Sequence, residues 1–239
     1  MTRNNSSKLK CGIIGCGNIA GKFDTPESKL IRTHAKAFKT HKYCELIGVC
    51  DTDFKEAKEF AKTWCVGFFS NDLDQFLKKY SYDILSICTP TKTHSKIFSK
   101  IVEHKPKIIW IEKPSSSNVD EIKKMISLTN PHFEVWVNYF RRFTKEFLNV
   151  KSKINNIGKI QKVICYYSKG LQNNGSHLID LVINFFGPVH DIVVLKRKKN
   201  GIFIDVDLIL KTKITDVYIF SAHYKYFEIF EMDILGQKG

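Results

Sequence analysis

The stretch KCGIIGCGNIAG, residues 10–21, decides the fold. Its first half is a short apolar run, residues 10–15, of the kind that forms a buried strand. Its second half carries Gly15, Gly17 and Ala20 in the spacing G-x-G-x-x-G/A. Gly15 allows a tight turn, Gly17 lets a pyrophosphate approach the backbone, and Ala20 lets a following helix pack close to the strand. Asn18 and Ile19 fall in the first turn of that helix, whose N-terminus faces the phosphates. A glycine motif alone is a weak signal. Here it follows the first strand and opens a helix, which is the context it needs.

Outward from this stretch the chain alternates strand and helix as far as residue 138. Apolar runs at 44–50 (CELIGVC), 66–69, 83–88 (DILSIC), 107–111 and 133–137 read as strands. Helical candidates lie between them at 54–63 and 73–79, from Thr93 with Ile97, Ile101 and Val102, and around Ile122, Met125 and Ile126. Short, continuously apolar strands separated by helices predict a parallel sheet covered on both faces. The second strand ends in Asp51, placed to hold adenosine ribose hydroxyls. An acidic residue there would repel a 2′-phosphate, so NAD is expected over NADP. Asp51 follows Gly17 by 34 residues, against about 20 in the usual pattern. A polar, Pro-containing insertion at 22–31 accounts for the excess.

After residue 140 the rhythm changes. A helix is predicted over 143–154, and another from Gly175-Ser176 to a stop at Gly187-Pro188. Strands then follow without helices at 191–196, 202–210, 216–223 and 226–235, with Asn200-Gly201 as a hairpin signal. The expected class is α/β: a Rossmann doubly wound parallel sheet over 1–140, then an α+β domain with an open, mainly antiparallel sheet over 141–239. The chain ends soon after the last strand, so that second domain is expected to be shortened.

Bulk properties narrow the setting. The 38 Lys and Arg against 24 Asp and Glu leave a net charge of +14. The basic residues are dispersed, with no aromatic-interleaved tract, so no nucleic-acid partner is expected and an anionic small substrate is compatible. No apolar run reaches the roughly 18 residues of a membrane span. The first eight residues are polar and lack the apolar core of a secretion signal. The seven cysteines include no CxxC pair and read as reduced core residues. A cytoplasmic protein without a metal site is expected.

Three further segments carry candidate chemistry. The fourth strand runs into Thr89-Pro90-Thr91-Lys92-Thr93-His94, at the strand ends where ligands of doubly wound folds bind. The fifth strand delivers Glu112-Lys113-Pro114, and Asn118 with Glu121 forms a capping box for the next helix. In the second half, His177 and Asp180 share a helix face, with Asn173 just before and Asn184 beyond. A histidine in a helix's first turn is disfavoured as a cation and can act as a neutral base. Arg141 and Arg142, just past the sixth strand, are candidates for a substrate phosphate or carboxylate.

GCGNIAG, Asp51, CTPTKTH, EKP and GSHLIDL, in that order, resemble the Gfo/Idh/MocA oxidoreductases. The resemblance covers essentially the whole chain, and the segment 17–38 is similar to members associated with bacterial surface-polysaccharide sugars. It implies NAD(P)-dependent redox chemistry on sugars, inositols or nucleotide sugars. It implies a cofactor held by Gly15, Gly17, Asn18, Ile19, Ala20, Asp51, Thr89, Pro90, His94, Glu112 and Lys113. It also implies catalytic roles for Lys113 and His177, with Asn173, Asp180, Arg141 and Arg142 at the substrate. Many members carry an aspartate where Asn173 stands, and asparagine cannot exchange a proton at neutral pH. Members usually continue past the position of Gly239, with strands that complete the sheet and often a homo-oligomer interface. The alternative is a non-catalytic relative that binds a dinucleotide and acts through protein partners.

Overall fold

The computed structural model describes residues 7–239; the polar stretch 1–6 discussed above lies outside them. The chain divides into two compact units, one ending at Asn138 and one spanning Tyr139–Gly239.

The first unit runs β1 (Leu9–Ile14), α1 (His34–Thr40), β2 (Cys44–Cys50), α2 (Phe54–Thr63), β3 (Phe68–Ser70), α3 (Leu73–Lys79), β4 (Ile84–Ile87), α4 (His94–Glu103), β5 (Ile108–Ile111), α5 (Val119–Ser127) and β6 (Glu134–Val137). Its six strands are parallel, in the order β3-β2-β1-β4-β5-β6, the doubly wound arrangement. Successive strand residues face opposite sides, so the sheet separates two cores. Cys11, Ile13 and Val49 pack with Phe60 and Trp64 on one face. Ile14, Leu85, Ile109 and Ile111 pack with Phe76 and Phe98 on the other.

Two local expectations need correction. The helix after the glycine turn is a single wide turn, Asn18–Lys22. The chain then loops to α1, held by the buried Asp24 carboxylate. That carboxylate accepts from Arg32 N–H (2.8 Å) and the Thr33 hydroxyl (3.0 Å). Thr33 in turn caps α1, and this loop fills the long spacing between Gly17 and Asp51. The capping box is also absent. Glu121 hydrogen-bonds the Ser116 hydroxyl, and Ser116 Oγ accepts from Asn118 N–H (3.0 Å). Asn118 still caps α5 by accepting from Asp120 N–H (2.8 Å).

The second unit contains α6 (Lys145–Lys153), β7 (Ile160–Tyr167), α7 (Ser176–Phe186), β8 (Val189–Asn200), β9 (Phe203–Thr212), β10 (Asp216–Ser221) and β11 (Phe230–Gly236). The strand order is β11-β7-β10-β9-β8. All pairs are antiparallel except β10 with β7. The strand β7, absent from the sequence reading, lies inside this sheet. Val163, Cys165 and Tyr167 bury one face of it against Leu178, Val182 and Phe186 of α7. Ile202, expected in a strand, instead occupies the β8–β9 turn and is exposed.

Five of the seven cysteines are buried: Cys11, Cys16, Cys50, Cys88 and Cys165. Burial pushes the Cys50 and Cys165 thiols up to about 12, so they behave as small apolar core residues. Among the described residues no helix is long and apolar enough to cross a membrane. None of their His, Cys, Asp and Glu side chains cluster as metal ligands.

Candidate functional site

The parallel ladder of the first unit continues one residue past each strand and thereby fixes which residues share an edge. Gly15 N–H donates to Cys50 O (2.7 Å), Cys88 N–H to Ile14 O (2.7 Å), Glu112 N–H to Ile87 O (2.9 Å) and Asn138 N–H to Ile111 O (2.8 Å). The glycine turn, the threonine loop, the Glu112-Lys113-Pro114 segment and Asn138 therefore emerge side by side.

At the glycine turn each residue has a separate reason. Gly15 adopts φ +92°, and a Cβ there would come within 2.8 Å of the Cys88 carbonyl carbon and the Thr89 nitrogen. Gly17 is the opposite case: a Cβ would meet no protein atom within 4 Å. Asp51 shapes the turn directly. Its Oδ2 accepts from Cys16 N–H (2.7 Å) and its Oδ1 from Asp53 N–H (3.0 Å). Beside the turn lies a cavity of about 780 Å³. Gly15, Gly17, Asn18, Ile19 and Asp51 line one part of it, and Thr89 and Pro90 another. Lys96 and Lys100 of α4 also line it, a basic contribution the sequence reading missed although the lysines stand one helical turn apart. An open glycine backbone, a strand-end carboxylate and flanking lysines fit an extended phosphate-bearing ligand.

Three residues expected at the cofactor have other surroundings. Ala20 is fully buried against the α2 side of the sheet. His94 is buried under the loops, hydrogen-bonded through Nε2 to Thr89 O (2.7 Å) and through Nδ1 to Pro114 O (3.1 Å). It therefore ties the threonine loop to the segment carrying Lys113. Glu112 is only 8% exposed. Its carboxylate accepts from His34 Nε2–H (2.9 Å), from the Asn138 side-chain amide (2.5 Å) and from Lys113 N–H (3.2 Å). His34 Nδ1 lies 3.1 Å from Ser86 Oγ, and its ring packs on Trp110 with centroids 4.1 Å apart. Burial works to raise the Glu112 carboxyl, yet these hydrogen bonds and the His34 charge hold it below its ordinary value. His34 was overlooked because it opens α1 just past the insertion, 78 residues from its partner. Lys113 itself is partly exposed, and its bond to Pro114 is cis.

The second unit gathers Tyr139, Phe140, Arg141 and Arg142 with the start of α7. His177 is 4% exposed. Its ring stands edge-on to Tyr139 (centroids 5.5 Å) and Phe140 (5.4 Å). Arg142 grips Asp180 in a bidentate pair, Nε–H donating to Oδ2 at 2.8 Å and a second N–H to Oδ1. Arg141 instead stacks on Phe230 at 3.8 Å, and burial lowers its pKa. Burial likewise raises the Tyr139 phenol, against a hydrogen bond to Ser176 that lowers it. Asn173 lies in the turn before α7, where its carbonyl accepts from the Ser176 hydroxyl (2.8 Å). Asn184 accepts from Lys151 (2.7 Å).

Comparison with known proteins matches residues 9–139 to the model of a family described as an oxidoreductase family with an NAD-binding Rossmann fold. An inositol 2-dehydrogenase from Rhizobium meliloti is 24% identical over 65% of this chain and 44% of its own length. The scyllo-inositol 2-dehydrogenase (NAD(+)) from Bacillus subtilis is 25% identical over 84% of this chain and 51% of its own. The chain thus spans about half the length of the curated relatives it matches. In fold it is similar to the WlbA dehydrogenase from Chromobacterium violaceum, solved with NADH and UDP-GlcNAcA. The TM-score is 0.80 at 19% identity, over 97% of this chain and 72% of that one. With more than half of its residues matched, the chain belongs to the Gfo/Idh/MocA oxidoreductase family.

Proposed function

We propose that the chain binds NAD and takes part in hydride transfer between the nicotinamide and a hydroxyl-bearing carbon of a sugar, cyclitol or nucleotide sugar. The observation that carries this reading is the cavity beside the glycine turn, with Gly17 open to it and Asp51 on its wall. The relatives' own names, inositol and scyllo-inositol dehydrogenases, support the substrate class, and NADH with UDP-GlcNAcA in the structural neighbour extends it to nucleotide sugars.

The turn residues would hold the pyrophosphate, and Asp51 the adenosine ribose; a carboxylate there favours NAD over its 2′-phosphorylated form. The cofactor supplies the hydride acceptor. Lys113 holds the substrate oxygen, and His177 or Lys113 accepts the hydroxyl proton as the carbonyl forms. Glu112, His34 and Asn138 fix the backbone that presents Lys113. Asn173 can position a hydroxyl but cannot relay a proton. The second unit serves the substrate side, and its sheet is a surface for self-association.

The test begins with NADH binding, followed by fluorescence, and continues with reduction of NAD by a panel of inositols, sugars and UDP-sugars. On a substrate so found, Lys113→Met should lower kcat by about a hundredfold or more while the urea midpoint stays close to wild type. Wild-type turnover in Lys113→Met removes the lysine from the mechanism. NADH binding with no turnover across the panel favours a non-catalytic dinucleotide binder.

A further inference from the structure

The adjacent arginines of the second unit meet different fates. Arg142 is neutralised by Asp180. Arg141 has no such partner: among the described residues its side chain makes no ion pair, and its buried Nε has no hydrogen-bond acceptor. What it does have is the face of Phe230, 3.8 Å from the guanidinium carbon. Stacking engages the plane of the guanidinium and leaves its in-plane fork of N–H donors available. The buried Nε lies out of reach of an incoming ligand, so the terminal N–H donors are the ones an anionic oxygen would meet. Such a fork matches a carboxylate or phosphate in bidentate geometry.

The location ties this fork to the chemistry proposed above. Phe140 lies 5.9 Å from the Arg141 guanidinium and 5.4 Å from the His177 ring. One aromatic side chain thus borders both the unmatched cation and the candidate acid/base. The neighbouring cation, Arg142, cannot compete for the same anion while Asp180 occupies its fork.

We infer that Arg141 is a specificity determinant that binds a carboxylate or phosphate on the substrate, making acid sugars or sugar phosphates the preferred class over neutral polyols. This rests on the sugar-redox reading for its meaning, but the anion site can be measured without turnover.

The experiment is calorimetric titration of the chain, with and without NADH, using D-glucuronate, D-glucose 6-phosphate and D-glucose at low and high salt. NAD reduction by the same three sugars is followed in parallel. At least one anionic sugar should bind about tenfold or more tighter than glucose, and the advantage should shrink with salt. Whichever of glucuronate and glucose 6-phosphate leads identifies the anion as carboxylate or phosphate. Arg141→Met should erase the preference, and Arg141→Lys should keep part of it, as a charge without the fork. Equal binding of all three sugars by the wild type overturns the inference. So does a wild-type preference in Arg141→Met. Should that variant fail to fold, the wild-type ratio, its salt dependence and Arg141→Lys decide. Anion-selective binding with no NAD reduction upholds the anion site and overturns the redox reading instead.

Discussion

The polar side chains of the two units are used differently. At the sheet edge of the first unit, Asp24, His34, Asp51, His94 and Glu112 each hold backbone or a buried partner in place. In the second unit one ion pair, Arg142–Asp180, is set among aromatic rings, with Arg141 stacked and His177 edge-on to its neighbours. The difference follows from the sheets. Parallel strands all end at one edge, and the loops beyond them lose the ladder, so buried polar side chains must satisfy the loop amides. In the second unit buried Asp205 likewise accepts from Gly170 N–H (3.1 Å), whereas the Asp180 carboxylate is taken up by the Arg142 guanidinium. Substitutions at the first edge should therefore disturb loop geometry, and those in the second cluster should disturb charge balance.

The largest effect is expected at the glycine turn, where the two glycines separate geometry from ligand approach. Gly15→Ala combines a positive φ with a Cβ 2.8 Å from backbone atoms. It should cost about 3 kcal/mol in urea unfolding and abolish measurable NADH binding. Gly17→Ala meets no protein atom and should leave stability within about 1 kcal/mol of wild type, yet weaken NADH binding about tenfold or more. Equal destabilisation by both substitutions would break the distinction between a glycine that builds the loop and one that admits the ligand.

These sites differ in how visible they were in sequence. The parallel sheet was legible because its strands are apolar on both faces and its helices carry the 3.6-residue period; α2 and α3 have the predicted bounds. Strand β7 was not, because five of the eight residues of IQKVICYY are exposed or partly exposed and it sits between two helices. Candidate residues announced by a motif, such as Gly15, Gly17, Asp51 and Thr89, line one cavity. The supporting contacts were hidden. No local pattern links His34 to Glu112 or His94 to Pro114, since tertiary structure alone joins them. Nor did the Arg141-Arg142 dipeptide tell which arginine would find Asp180.

The next effect sharpens the charge-balance side. Arg142→Met leaves Asp180, whose side chain is 8% exposed, without its partner. Because the Arg142 side chain is itself 32% exposed, the cost should be about 2 kcal/mol, below that of a fully buried pair. Asp180→Asn should cost less, since the released guanidinium can turn to water. Urea midpoints of the two variants check the order. A larger loss from Asp180→Asn would mean that Asp180 supports more than the ion pair.

The smallest effect tests whether Glu112 acts through charge or through shape. Gln keeps the volume and one acceptor for His34, so at neutral pH Glu112→Gln should cost only about 1 kcal/mol. The pH dependence carries the sign. The folded Glu112 carboxyl lies below its ordinary value of 4.5. Its charge therefore adds stability that is fully present above that value and is lost as the pH falls through the folded one. The gap in urea stability between wild type and Glu112→Gln should be widest near neutrality, begin to narrow as the pH falls below 4.5 and close once it has passed the folded value. Subtracting the variant cancels the other carboxylates, which titrate in both proteins. A gap that stays constant from neutral to acid pH would show that the network holds the Lys113 segment by shape alone. The two units would then differ more sharply than proposed, with electrostatic work confined to the second.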